Sequence, residues 1–378
     1  MKGTVNIFTP QYYPKKNGLS FVVQKNVESL LILGFQVNVL TAAGSNQMLT
    51  ENIYKFNISG NGSIINPIRG EIDDFIVIVE KLSKKALCNI YHGWHIWSTN
   101  LPLKYSTKIK CKQVVYSHGI GYSTLEPLIP RLVRRFLYLG EKKRINSYLK
   151  ELDGFIYIGQ NLSHPRSNDV LRYDGKNKTF IPNPIPVREV TNANALKYSP
   201  IFFNNKKTAL CISNFERVKN QRYLISLAEK YNFNLILIGS EKNKFSKYLE
   251  KMILSRRLDS QVKIFYSLTD DMILNHFQES DFFLFPSRND YAPLVLIESN
   301  KYGLPFISFT TADIARKGGV FCHSQLEFEN AILSFVNMDQ SKLKRIGECG
   351  KMYYLENNED SIYLKNIQNF MNKIIIKS

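Results

Sequence analysis

A chain of 378 residues with 44% apolar and 12% aromatic side chains can build two domains of ordinary size, each with its own core, which excludes a disordered or low-complexity protein. Its 50 lysines and arginines against 32 acids leave a net charge of +18, so the expected partners are anionic: nucleotides, phospholipids or nucleic acid. The five cysteines are widely spaced and include no Cys-x-x-Cys pair, so neither a disulfide framework nor a zinc site is expected.

The apolar run before Pro10 is too short for a secretory leader, and nowhere do about 18 apolar residues follow one another, so no membrane span is expected either. Thr4 to Phe8 reads as a strand, Ser20 to Leu33 as a helix with Val23, Val27, Leu30 and Leu31 on one face, and Val37 to Leu40 as the next strand. Gly34 suits the end of that helix. The loop from Pro14 to Ser20 sets Gly18 and two lysines ahead of the helix start, which is chemistry for a phosphate, but one glycine is far from a full phosphate-binding fingerprint and an ordinary loop reads the same way.

Ile90 to Trp94 and Val114 to Gly119 each read as a strand ending in His-Gly, and in an open parallel sheet both ends would open onto the ligand crevice. The six histidines lack metal-ligand spacing. His118, flanked by the hydroxyls of Tyr116 and Ser117, is the better functional candidate, against the plainer reading of a structural histidine.

From 131 to 150 the chain carries Arg131, Arg134, Arg135, Lys142, Lys143, Arg144 and Lys150 against the single acid Glu141, interleaved with large apolar residues. This pattern suits a helix lying on an anionic membrane surface, and it equally suits a solvated basic face. Gly154 to Ile158 is strand-like, and the proline-rich, polar stretch that follows Phe180 reads as a linker.

The alternation then restarts. Strands are expected at Thr208 to Ser213, Leu235 to Ile238, Val262 to Phe265 and Phe282 to Phe285, with helices from Asn220, over Lys244 to Arg256, over Asp270 to Phe277 and from Pro293 to Tyr302. The expected architecture is α/β, two doubly wound, Rossmann-like domains facing across a cleft. The expected divisions are 1–183, a linker over 184–205, a second domain over 206–358, and a C-terminal helix over 359–378 packing back across the domains.

Arg217 and Lys219 stand just before a helix start, where two cations would meet a pyrophosphate. Asp290 and Glu298 border the crevice beyond the last strand, and with Pro293 opening the helix they lie about 7–8 Å apart along its axis. That is too far to share a proton and suits two parts of one elongated ligand. Taken singly, Asp290 reads as a turn residue and Glu298 as a solvated helix position. An inverting glycoside hydrolase would use such a carboxylate spacing but has no use for the phosphate-binding loops. A nucleic-acid-binding reading rests on charge alone.

In this order, the Gly18 loop, Ser117-His118-Gly119, Ile181-Pro182-Asn183, Ser213 to Lys219, Pro286-Ser287-Arg288, Asp290 to Glu298 and Gly303-x-Pro305 resemble glycosyltransferase family 4, retaining enzymes of GT-B fold. The resemblance spans nearly the whole chain and is strongest from Ser213 to Pro305. It implies transfer of a sugar from a nucleotide-diphosphate sugar, with Glu298 on the ribose and Asp290 with the backbone amides around Ala292 and Leu294 on the donor sugar. Lys219 would meet the diphosphate, Gly18 would line the donor site, and His118 would join Lys219 and Asp290 at the reacting centre. The family's arginine falls at Asn214, with Arg217 as a nearby substitute. Its first glutamate is Asp290, and a glycine between the carboxylates is Pro293. These departures leave a non-catalytic glycosyltransferase-like partner as the alternative.

No cofactor and no metal is implied, since no Asp-x-Asp is present. The implied acceptor is a saccharide, polyprenyl-diphosphate-linked, held by the first domain on the cytoplasmic face of a bacterial membrane, in surface-polysaccharide assembly. No nucleic-acid partner is expected.

Overall fold

The computed structural model describes residues 2–15, 17–63, 66–105, 109–120, 142–186, 188, 201–202, 204–287, 290–309, 315 and 317–376. They fall into two compact units, Met1–Pro184 with Asp360–Ser378, and Ile185–Glu359.

The first unit runs β1 (Thr4–Phe8), α1 (Gly18–Ile32), β2 (Gln36–Ala42), β3 (Asn52–Phe56), β4 (Ile58–Ser59), β5 (Arg69–Gly70), α2 (Ile72–Ser83), β6 (Ala86–His92), α3 (Trp97–Lys104), β7 (Lys112–Ser117), α4 (142–150), β8 (Gly154–Tyr157), α5 (Asn168–Arg172) and β9 (Lys178–Phe180). Its main sheet has seven parallel strands in the order β3-β2-β1-β6-β7-β8-β9. The order reverses between β1 and β6, so the ligand-binding crevice of this sheet is expected at their carboxyl ends.

Helix α1 starts two residues before the expected Ser20, because the Asn17 side chain accepts the Ser20 N–H at 3.0 Å and caps the first turn. Val23, Val27 and Leu30 are buried, as the apolar stripe predicts. The C-terminal helix α12 (Asp360–Ile376) belongs to this unit and buries Tyr363, Ile367, Phe370, Met371 and Ile374. It packs closely on β8 at Gly154, where a Cβ would stand 2.5 Å from Ile374 Cδ1 and 2.9 Å from Phe370 Cζ and would have to displace these side-chain ends.

A row of side-chain amides crosses the sheet from strand to strand. Asn52 Nδ2 donates to Asn38 Oδ1 at 3.0 Å, Asn38 Nδ2 to Asn6 Oδ1 at 2.8 Å, and Asn6 Nδ2 to Asn89 Oδ1 at 2.9 Å. Asn89 Nδ2 continues to Tyr91, whose hydroxyl donates to Gln113 Oε1 at 2.5 Å. Asn52, Asn38, Asn6, Asn89 and Gln113 are direct register partners across β3, β2, β1, β6 and β7. A slip of one residue on any strand would orphan buried amides, so the row helps to fix the register of these strands.

The second unit runs β10 (Thr208–Ile212), α6 (Gln221–Tyr231), β11 (Asn234–Gly239), α7 (Lys244–Ser255), β12 (Val262–Tyr266), α8 (Asp270–Glu279), β13 (Phe282–Phe285), α9 (Leu294–Lys301), β14 (Phe306–Phe309), β15 (Gly319–Cys322), α10 (Gln325–Asn337) and α11 (Gln340–Asn357). Its six parallel strands are ordered β12-β11-β10-β13-β14-β15, with the reversal between β10 and β13. Phe282 and Leu284 pack into the core on one face of the sheet, and Phe283 and Phe285 into the core on the other. That is why this strand is a continuous apolar run. Pro293 caps α9 with extended backbone (φ −70°, ψ 118°) instead of occupying its first turn.

Asn6→Ala is expected to leave Asn38 Nδ2 unpaired in the core and Asn89 Oδ1 with only the longer bond from Ser83 Oγ, and to cost on the order of 1–3 kcal/mol in chemical denaturation, with a smaller loss for Asn52→Ala at the edge. Equal losses for the two variants would contradict a register role for the buried row.

Candidate functional site

In the second unit the two strands that flank the order reversal each feed a charged residue into the same place. After β10 the chain is pinned at Phe215, which is buried against Tyr266 and lies so close to Gly239 that a Cβ there would stand 2.3 Å from its ring. Asn243 Nδ2 donates to Phe215 O at 2.9 Å, and Gln221 Nε2 donates to Asn214 O at 2.8 Å. A single 3-10 turn over Arg217–Lys219 follows, and Asn220 at φ 60° reverses the chain into α6.

This bend aims Lys219 at Asp290, the residue that follows the turn beyond β13. Lys219 Nζ donates to both carboxylate oxygens, at 2.7 and 2.9 Å, and lies 5.9 Å from the centre of the Phe285 ring. The side chains are 19% and 25% exposed, so the pair stays in reach of solvent and of a ligand. Ser287 Oγ donates to Val218 O at 3.4 Å and ties the two loops together.

Glu298 differs from its expected setting as a solvated helix position: it is buried on α9. The helix is held against α11 by backbone contact, since a Cβ on Gly347 would stand 1.8 Å from the Gly303 carbonyl oxygen. Burial raises the Glu298 carboxyl above its ordinary range, and Arg188 opposes that rise. Arg188 Nη2 stands 2.9 Å from Glu298 Oε1, an ion-pair contact whose angles do not make a hydrogen bond, while Nη1 donates to Asp270 at 2.7 Å. Arg188 lies in the stretch expected as linker, and nothing in the local pattern marks it. Only the fold brings it to the carboxylate.

Of the other expected site residues, Asn214 accepts from Ser240 Oγ at 2.8 Å through Oδ1, and Arg217 is exposed beside Lys219. Ala292 and Leu294 flank the cap of α9 and are partly buried. The second unit thus gathers Asn214, Arg217, Lys219, Asp290, Ala292, Leu294 and Glu298 on the carboxyl-end side of its sheet.

Gly18 and His118 belong to the first unit. Gly18 is the first residue of α1. His118 follows β7, where Ser117 Oγ is hydrogen-bonded to the buried Asp169 and accepts the Gly119 N–H at 3.1 Å. Asp169 also accepts from Trp94 Nε1 at 2.6 Å; burial still raises its carboxyl to about 6. His92 and His118 stand 3.2 Å apart between ring nitrogens, and burial pushes His118 down to about 4.

Arg131, Arg134 and Arg135 lie outside the described residues. Lys142 and Lys143 are exposed on α4, whereas Arg144 donates to Gly62 O at 2.6 Å and so ties its helix to a loop. Among the described residues no helix is long and apolar enough to cross a membrane, and no group of three or more His, Cys, Asp or Glu side chains is placed to hold a metal ion.

The geometry after β10 and β13 can be set beside known proteins. Residues 195–351 match the family model for glycosyl transferases group 1. No curated protein sequence matches the chain significantly. Solved structures do: sucrose-phosphate synthase from Thermosynechococcus elongatus is similar over 100% of both chains, with TM-score 0.74 at 13% identity. Anabaena HepE, solved with UDP and glucose, is similar over 98% of this chain and 100% of its own, with TM-score 0.69 at 13% identity. WaaG, a glycosyltransferase involved in lipopolysaccharide biosynthesis, is similar over 97% and 99%, with TM-score 0.66 at 15% identity. The fold is GT-B. The family match covers Lys219, Asp290 and Glu298 together, and leaves Arg188 just outside it.

The Arg188–Glu298 pair gives a pH-dependent expectation. Glu298 holds its proton more tightly folded than unfolded, so its contribution to stability is present at low pH and is lost as pH rises past about 4.5. Removing Arg188 leaves that buried charge without its partner. Arg188→Ala is expected to cost about 3 kcal/mol in urea denaturation at pH 8 and clearly less at pH 5, with Arg188→Ala/Glu298→Gln restoring most of the loss. An equal penalty at both pH values would count against the pairing.

Proposed function

We propose that this protein is a retaining glycosyltransferase that moves a hexose from a nucleotide-diphosphate sugar to a saccharide acceptor. The observation that carries the reading is the convergence of Lys219 and Asp290 at the reversal point of the second sheet, with Glu298 buried on the helix that follows. The family match over that unit and the UDP and glucose in the HepE structure support it.

In this reading Glu298 accepts hydrogen bonds from the ribose hydroxyls, and Lys219 leaves Asp290 for the diphosphate. Asp290 and the backbone around Ala292 and Leu294 then take the sugar hydroxyls. The bond from the anomeric carbon to the diphosphate oxygen breaks with its electron pair going to the phosphate. The acceptor hydroxyl oxygen attacks from the same face, and its proton passes to the departing phosphate oxygen, so configuration is retained without a separate base. Lys219 and the amides at the start of α6 stabilise charge that grows on the leaving group, which is electrostatic catalysis by groups already in place. No metal takes part in this scheme.

We further propose that the acceptor is lipid-linked, polyprenyl diphosphate being the class, and that the protein works at the cytoplasmic face of a bacterial membrane in surface-polysaccharide assembly. A cavity of about 850 Å³ in the first unit supports this: Ile68, Ile72, Leu101 and Leu103 give it apolar walls, and Lys104 and Lys143 stand at it as cations. Such a lining fits a chain with an anionic head. Failure to co-sediment with anionic vesicles would remove the membrane part of the proposal. The second reading, a partner protein without turnover, is favoured by one observation: Asn214 offers a side chain held by Ser240 where the family places an arginine.

Release of nucleoside diphosphate from a panel of UDP-, GDP- and ADP-sugars, with bacterial lipid extract as acceptor, separates the two. Turnover of one donor, reduced about 10²-fold or more in Lys219→Ala, is expected. Turnover unchanged by Lys219→Ala would contradict the role given to Lys219. Binding of a donor without turnover would establish the partner reading instead.

A further inference from the structure

His118 does not stand alone. Its Nε2 lies 3.2 Å from Nδ1 of the fully buried His92, and His92 Nε2 lies 3.1 Å from Oδ1 of Asn26, which is fully buried on α1. Both imidazoles stack on Tyr116, at 4.9 Å for His92 and 5.2 Å for His118 between ring centres, so neither ring is free to turn.

The direction of the two contacts follows from what an amide oxygen can do. Asn26 Oδ1 only accepts, so the proton between it and His92 is on His92 Nε2. A neutral His92 then carries a lone pair on Nδ1, and the proton in the second contact must come from His118 Nε2. The amide sets Oδ1, and not Nδ2, against His92 Nε2, and Nδ2 is buried without a hydrogen-bond partner.

We propose that Asn26 and His92 are positioning residues that lock His118 as the neutral Nε2–H tautomer, so that His118 presents only an acceptor, Nδ1, to a ligand. The site thereby selects a ligand hydroxyl at that point and gives no hydrogen bond to a phosphate oxygen or an ether oxygen there. His118 is then neither the general acid nor a cation for the leaving group. That the hydroxyl belongs to a sugar rests on the proposed function; the tautomer does not.

Burial supports the neutral state. It pushes His118 down to about 4 with no other cause, and it pushes His92 lower still, with His118 as the second cause. Among the described residues, the groups facing the pair are Asn26 from α1, Tyr116 from β7 and, beyond Asn26, Tyr363 from α12, and none of these is a carboxylate that would hold a proton on either ring.

The test is long-range ¹H–¹⁵N correlation of the histidine rings in the full chain between pH 6 and 8, with His118 identified by its loss in His118→Gln. The expected spectrum has His118 protonated at Nε2 and bare at Nδ1 across that range. His92→Asn keeps an acceptor where His92 Nδ1 stands and is expected to preserve this pattern. His92→Ala removes the acceptor and is expected to shift His118 toward a mixture of tautomers. Should His92→Ala not fold, the comparison of native protein with His92→Asn still decides. A native His118 protonated at Nδ1, or doubly protonated at pH 6, overturns the proposal, as does a folded His92→Ala whose His118 is unchanged. None of these readouts needs turnover, so a failed tautomer assignment is distinct from a failed glycosyltransferase assignment, which the donor panel reports.

Discussion

The account turns on one ion pair, Lys219 with Asp290, and on how little that pair is worth by itself. Both side chains keep about a fifth to a quarter of their surface exposed, and pairs so placed contribute of the order of 1 kcal/mol or less. A weak pair holds two charges in position without locking them together. In the proposed reading a diphosphate, which carries more charge than one carboxylate, takes the lysine and leaves the aspartate free for hydroxyls. What makes the exchange possible is the backbone behind it: Phe215 locked against Gly239, and Asn220 turning the chain so that Lys219 leaves the loop toward β13.

Glu298 illustrates the opposite regime. Its carboxylate is nearly out of water, so charge on it is costly unless Arg188 stays close. A buried carboxylate on a helix locked to α11 through Gly303 and Gly347 cannot adjust to its ligand, and in the proposed reading that rigidity suits a ribose, the part of a nucleotide sugar that does not react. In that reading the exchangeable pair meets the reacting end and the fixed one the handle. In the first unit Asp169 accepts from Ser117 Oγ, which in turn accepts the Gly119 N–H beside His118.

Much of this was legible in the chain because it depends on local pattern. The run Phe282–Phe285 is apolar at every position because both faces of β13 are covered, and Pro293 with Gly303 brackets the helix that carries Glu298. Lys219 and Asp290 could be named from motif order. Three things were not legible. The amides Asn6, Asn38, Asn52 and Asn89 sit on separate strands, and their pairing appears only when the strand order is known. Arg188 sits among residues with the composition of a linker, and its contacts are about 80 and 110 positions away in sequence. Strands β14 and β15 are not marked either, because β14 follows directly on Pro305 and β15 opens on a glycine, both of which read as breaks. In each case the missing information was long-range pairing, which local propensity does not carry.

The most direct measurement is a structure with nucleoside diphosphate bound. The account predicts the diphosphate within hydrogen-bond reach of Lys219 Nζ, with that lysine withdrawn from Asp290, and the ribose hydroxyls on the Glu298 carboxylate. A nucleotide bound elsewhere, or one seated here with Lys219 still held by Asp290 and Glu298 untouched, would contradict it.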